Sequence, residues 1–121
     1  MILIDTSVWI DHLHRPESVL VALLERNDAA THPMVLGELA LGSIADRTTF
    51  LGLLSAIPAP AEATHVEVMD FVAARRLYGR GLSLVDAHLL ASAVLSDATL
   101  LWTRDQRLAR AASDLGVEWV P

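Results

Sequence analysis

The sequence predicts an α/β fold in which a mainly parallel sheet is covered by helices on both faces. Three observations carry this. Short apolar runs (ILI at 2–4, TLLW at 99–102, VEWV at 117–120) alternate with longer amphipathic segments, the pattern of strands joined by crossover helices. The chain has 121 residues, 53% of them hydrophobic, which is enough for one domain over residues 1–121 with its own core. No repeat, low-complexity stretch or linker divides it. In folds of this class, sites form beyond the carboxyl ends of the strands. The residues that follow the apolar runs are therefore the candidates for chemistry.

The elements follow in order. Residues 2–4 make a buried first strand, and a helix runs from residue 7 to about 14, where Arg15-Pro16 ends it. Residues 17–26 (ESVLVALLER) read as a second helix, with Val19, Leu20, Leu23 and Leu24 at helical spacing. Residues 28–32 hold a short strand. Pro33 suits a first helical position and opens a third helix over 33–41; residues 46–55 give a fourth. In IPAPA, Ile57 ends a short edge strand, since Pro58 and Pro60 cannot donate to a central ladder. Residues 62–79 form a long helix that turns Val66, Met69, Val72 and Ala73 inward and stops at Gly79. A helix over 83–95, a strand over 99–102, a helix over 105–115 and a strand over 117–120 complete the chain.

The net charge of −6 argues against a protein that grips nucleic acid through a broad basic surface. All nine basic residues are arginine, whose planar fork pairs bidentately with phosphate or carboxylate, so a few can act locally. There is no cysteine, which removes disulfides and thiolate metal sites. No basic leader or long apolar run marks a targeting or membrane segment, and the expectation is a soluble, cytoplasmic protein with no membrane partner.

Four acids stand out. Asp5 ends the ILI strand, and Asp105 follows LLW; if both strands are parallel, both carboxylates lie at one sheet edge. Asp86 falls in the first turn of the helix that begins near Ser83. Each of these three has an ordinary alternative. Asp5 or Thr6 could cap the first helix, Ser83 and Asp86 have the spacing of a capping box, and Thr103 or Asp105 could cap the helix at 105. Glu38 is different: with Pro33 at the first position it is too deep to cap, among Met34, Val35, Leu36, Leu39, Ala40 and Leu41. Such a carboxylate either points to solvent or is paired in a cleft, and the neighbouring Gly37 leaves room for close approach.

If the four converge, their mutual repulsion calls for cations. Oxygen ligands alone, with no Cys and no His at metal spacing, select Mg²⁺ or Mn²⁺. Two such ions can activate water and stabilise the leaving oxygen of a phosphodiester, so an acidic cleft is compatible with a negatively charged substrate.

These residues together resemble a known family. The strand ending in DTS-x-W (Asp5 to Trp9), the GEL at Gly37 to Leu39, L-x-x-x-D-A at Leu82 to Ala87, and T-R-D at Thr103 to Asp105 resemble the PIN-domain ribonucleases, and among them the VapC toxins of type II toxin–antitoxin pairs. The resemblance spans essentially the whole chain. It implies a three-layer α/β/α sandwich with a central, mainly parallel five-stranded sheet, and Mg²⁺- or Mn²⁺-dependent endonucleolytic cleavage of RNA. It implies that Asp5, Glu38, Asp86 and Asp105 are the acidic quartet, with Asp5 and Asp86 as principal metal ligands and Glu38 helping to hold the ions and activate water. It further implies that Thr103 supports the site, that the protein is a homodimer, and that a VapB-like antitoxin occupies its groove.

Other residues have plainer alternatives. Arg80, in a cluster with Arg75 and Arg76, could steer RNA phosphate or meet an acidic partner, or simply solvate a helix end. His12 and His14 read as surface residues, His88 as structural, Trp9 as a core or dimer anchor, and Trp102 as core. Two rival functions are a phosphoacceptor receiver-like signalling domain and a non-catalytic PIN-like binding module. The first needs a late lysine, and the chain has none; the intact quartet disfavours the second.

Overall fold

A computed structural model describes all residues, 1–121. The central strand is β1 (Ile2–Ile4), flanked by β2 (Ala29–Ala30) and β3 (Leu100–Trp102) in the order β2-β1-β3, all parallel. Ile2 faces Leu100 and Ala29, Leu3 faces Leu101 and Ala30, and Ile4 faces Trp102. Ile2, Leu3 and Ile4 are all buried. Successive side chains point to opposite faces, so both faces of β1 are covered.

Seven helices do the covering: α1 (Thr6–His14), α2 (Ser18–Glu25), α3 (Pro33–Ala40), α4 (Arg47–Ser55), α5 (His65–Ala74), α6 (Leu84–Leu95) and α7 (Gln106–Asp114). Helix α6 is buried continuously from Ala87 to Ala93 and packs against β3, α3, α5 and α7. A helix apolar around its circumference belongs inside the molecule, and this one carries Asp86 in its first turn.

The sheet has three strands, where five were expected. The outer two are reduced to single links. Residues 117–119 run beside β3 as one parallel bridge, with the Leu101 N–H on the Val117 carbonyl and the Trp119 N–H on the Leu101 carbonyl. On the other edge the Thr31 N–H reaches the Pro58 carbonyl at 2.9 Å. Pro58 and Pro60 have no N–H to return, so no ladder propagates there.

The expected 62–79 helix is also shorter, and of its four expected inward residues only Val72 faces the core. Thr64 and Glu67 form a reciprocal capping box that starts α5. The helix ends at Ala74 because Arg76 takes a left-handed φ of 53°. The Arg76 N–H bonds the Ala73 carbonyl and the Leu77 N–H bonds the Val72 carbonyl, a Schellman closure with buried Leu77 as its apolar lock. Gly79 has a positive φ but lies in the turn beyond. Val68, Phe71 and Val72 face the core, whereas Val66, Met69 and Ala73 are exposed.

No helix is long and apolar enough to cross a membrane.

Candidate active site

Asp5 leaves β1 at its carboxyl end, and its backbone N–H donates to the Trp102 carbonyl at 2.9 Å, which ties it to the end of β3. It occupies the N-cap position of α1, yet its carboxylate makes no cap bond. Instead Oδ2 accepts from Ser7 Oγ and from Thr103 Oγ1, both at 2.7 Å. The residue is 5% exposed, and Oδ1 has no protein partner while remaining open to solvent.

The two other aspartates do serve as caps. Asp86 Oδ2 accepts the Ser83 N–H at 2.9 Å while Ser83 Oγ accepts the Asp86 N–H, so the expected capping box is present. Asp105 Oδ1 accepts from the N–H groups of Arg107 and Leu108 and starts α7. Glu38, on α3, is exposed, and its Oε1 accepts a 2.6 Å bond from Thr6. In all four acids one carboxylate oxygen is engaged by the protein and the other has no protein partner.

The four are not independent. Asp86 is half-buried, and burial raises its carboxyl above the usual range; the like charges of Asp5 and Asp105 raise it further, against the Ser83 bonds that lower it. Thr103 links two of them directly: Oγ1 donates to Asp5 and accepts the Asp105 N–H at 3.0 Å. Glu38 joins the group through Thr6, the residue next to Asp5.

Thr6 and Ser7 lie outside the set singled out from sequence. The signal was the DTS run itself, two hydroxyls directly after the first acid. Arg104 was also missed. It forms ion pairs with Asp11 (2.7 Å) and Glu17 and lies over Trp102, clamping the α1–α2 corner to the end of β3. His12 is half-buried, contrary to the surface reading: its Nδ1 accepts the Glu17 N–H at 3.0 Å in that same corner. His14 is exposed, His88 is buried, and Trp102 lies in the core. Trp9, 2% exposed, packs edge-on against Phe50 and His12 and is likewise a core residue.

Arg80 does not sit with Arg75, whose guanidinium lies over Phe71. It donates to Asp114 at 2.8 Å and lines a separate cavity with residues of α7. After β2, His32 caps α3 through Nδ1, and its buried Nε2 has no partner; burial holds its imidazole below the ordinary range.

Comparison with known proteins decides the family, since residues 2–114 match the PIN domain model. The chain belongs to the PIN-domain family. Within it, the chain is 50% identical over 117 residues to Ribonuclease VapC32 of Mycobacterium tuberculosis, in both the CDC 1551 / Oshkosh and the H37Rv strains. Each alignment covers 97% of this chain and 94% of the relative. No solved structure matches significantly. The chain is thus a PIN domain of the VapC type, and a receiver domain is set aside.

No three acidic or histidine side chains of this PIN domain stand close enough to hold an ion between them as placed. Mg²⁺ keeps several of its waters and is bound through one or two carboxylates with substrate phosphate. The donor set is oxygen-only, every acid has an oxygen without a protein partner, and Asp86 is raised first by burial and then by the like charges of Asp5 and Asp105, which a nearby cation would offset.

Proposed function

We propose that this PIN domain is an endoribonuclease, the toxin of a type II toxin–antitoxin pair, which cleaves RNA phosphodiester bonds with Mg²⁺ or Mn²⁺ held by Asp5, Glu38, Asp86 and Asp105. The observation that carries the reading is the division of labour within each carboxylate, one oxygen engaged by the protein and one unclaimed, at the carboxyl edge of the sheet. When bound, the cation supplies Lewis acidity, neutralising phosphate charge and making water a stronger nucleophile near neutral pH.

The protein's own groups do the rest. Asp5 is buried and gripped by two hydroxyls, so its free Oδ1 has one orientation. Asp86 and Asp105 are aimed by the caps they make. Glu38 is exposed and tethered through one oxygen, which leaves it free to turn and accept a proton from the attacking water. Thr103 is a positioning residue that sets Asp5 against Asp105.

A VapB-like antitoxin segment occupies the groove of about 430 Å³ lined by Ile10, Leu13, Leu39, Ile44 and Glu38. A second copy covers the apolar face of Val66, Met69, Tyr78 and Leu84, each of them 46% exposed or more. The site of action is the cytoplasm.

The test is cleavage of total cellular RNA by purified protein freed of any partner. Cleavage appears with Mg²⁺ or Mn²⁺, vanishes in excess chelator, and falls by about 10²-fold or more in Asp5→Asn and Asp86→Asn, the scale of losing a group that stabilises transition-state charge. Undiminished cutting in chelator, or by both variants, rules the reading out.

A further inference from the structure

Away from the four acids, a cavity of about 360 Å³ opens between α7 and the turn that leads into α6. It is lined by Arg80, Gln106, Arg107 and Arg110 and by no apolar or acidic residue. Three of the nine arginines of an acidic protein thus converge on one hollow. Arg107 and Arg110 have no carboxylate partner; Arg80 has one, Asp114, whose side chain is 58% exposed.

A glycine makes room for this arrangement. Gly81 has a φ of +77°, and a Cβ on it would come within 2.7 Å of Arg107 Nη1 and 2.9 Å of Arg107 Cδ. The arginine stem lies across bare backbone two residues before Ser83, the cap of the helix that carries Asp86. At the other end, Gln106 and Arg107 directly follow Asp105, and Asp105 Oδ1 holds the Arg107 N–H at 2.9 Å. The basic hollow therefore shares both of its walls with two of the four acids.

We propose that this hollow is a subsite for the sugar–phosphate backbone of the RNA, holding a phosphate beyond the scissile one while the acids face the bond to be cut. The proposal rests on the ribonuclease reading and adds to it the residues that hold the strand. Guanidinium forks match phosphate oxygens bidentately, and Gln106 offers an amide to a ribose hydroxyl or a base edge. Arg107 and Arg110 are three residues apart on α7, hence on one face, and can follow one strand. A protein partner is the poorer match, because a protein hot spot needs an apolar or aromatic anchor and the lining has none. The subsite also answers the charge problem: a protein of net charge −6 binds a polyanion through one local basic hollow and the site cations.

The test separates binding from cutting. Anisotropy of a fluorescein-labelled, mixed-sequence single-stranded RNA is measured in chelator against salt, for the wild type, Arg107→Gln/Arg110→Gln and Arg107→Lys/Arg110→Lys. Circular dichroism melts establish that each is folded. The glutamine pair is expected to weaken binding and to lower the slope of log K against log salt by about 1.4, two contacts at about 0.7 each. The lysine pair keeps the slope while losing part of the affinity. In cleavage assays with Mg²⁺ the glutamine pair raises KM and leaves kcat near the wild-type value.

Unchanged RNA affinity and slope in the glutamine pair overturn the proposal. So does loss of binding to a co-purifying acidic protein with RNA binding intact, which assigns the hollow to that protein. Wild-type protein that binds RNA through these arginines but cuts none upholds the subsite and removes the nuclease reading. Cutting that is identical in wild type and the glutamine pair removes the subsite alone.

Discussion

Thr103 spans two of the acids with a single hydroxyl, donating to Asp5 Oδ2 and accepting the Asp105 N–H. Thr103→Val keeps the shape and removes both bonds. It should cost about 1.5–3 kcal/mol, the worth of a hydrogen bond to a charged group, read from urea denaturation, with a parallel fall in RNA cleavage. Full stability and full activity in this variant would show that Asp5 is oriented by other means. His32 supplies a pH-dependent prediction. Burial lowers its folded pKa below the ordinary 6.5, with Glu62 pulling it up and His88 pushing it down. The unfolded chain then binds the proton first, so stability is full above about 6.5 and declines as pH falls toward the lowered folded value. His32→Asn keeps a side-chain acceptor for the Met34 N–H, as N-cap residues do, but cannot titrate. Thermal melts between pH 7 and 5 should show a shallower decline in the variant; an unchanged decline would place the titration elsewhere.

At this scale the acids were legible, but their local duties were not. Asp86 takes the capping role that its Ser83 spacing implies, because a capping box is made within four residues. Asp5 stands at an N-cap and does not cap, because its carboxylate is captured by a hydroxyl 98 residues away in sequence. No local pattern contains that bond.

Among the elements, the helices were readable where their ends carry familiar residues. Pro33 opens α3 and Gly116, at φ +74°, follows α7. The end of α5 was hidden because an arginine takes the left-handed position that glycine usually fills. Arg76→Gly should therefore stabilise the protein by about 0.5–1 kcal/mol, since the left-handed conformation costs a non-glycine residue about 1–2 kcal/mol and the more flexible unfolded chain takes part of that back. Chemical denaturation checks the sign; a destabilised variant would mean that the arginine side chain contributes more than its backbone costs. The apolar stripe of α5 was only partly placed. Val72 faces in as expected, but Val66, Met69 and Ala73, at helical spacings of three and four, face out, while Val68 and Phe71 join Val72 inside. The outer strands were overcounted because apolar composition marks burial, while a ladder needs N–H groups that Pro58 and Pro60 lack.

On the scale of the whole molecule, the parallel strand order brings the ends of β1 and β3 together, and Arg104 locks that edge to the α1–α2 corner through Asp11 and Glu17. If a second copy covers Met69 and Leu84, Met69→Asp should convert the dimer to a monomer by light scattering while the fold persists, since a buried unpaired charge is costly. A wild type that is already monomeric would remove the dimer from the account.

Each of the four carboxylates leaves one oxygen unclaimed by the protein, and the proposed function gives those oxygens to a hard cation. Electron paramagnetic resonance of Mn²⁺ titrated into partner-free protein tests it without any RNA. Saturable Mn²⁺ binding is expected, weakened by about tenfold or more in Asp5→Asn, a loss that even outer-shell partners of metal ligands cause. Mn²⁺ binding of equal strength in both proteins, or none in the wild type, would contradict it.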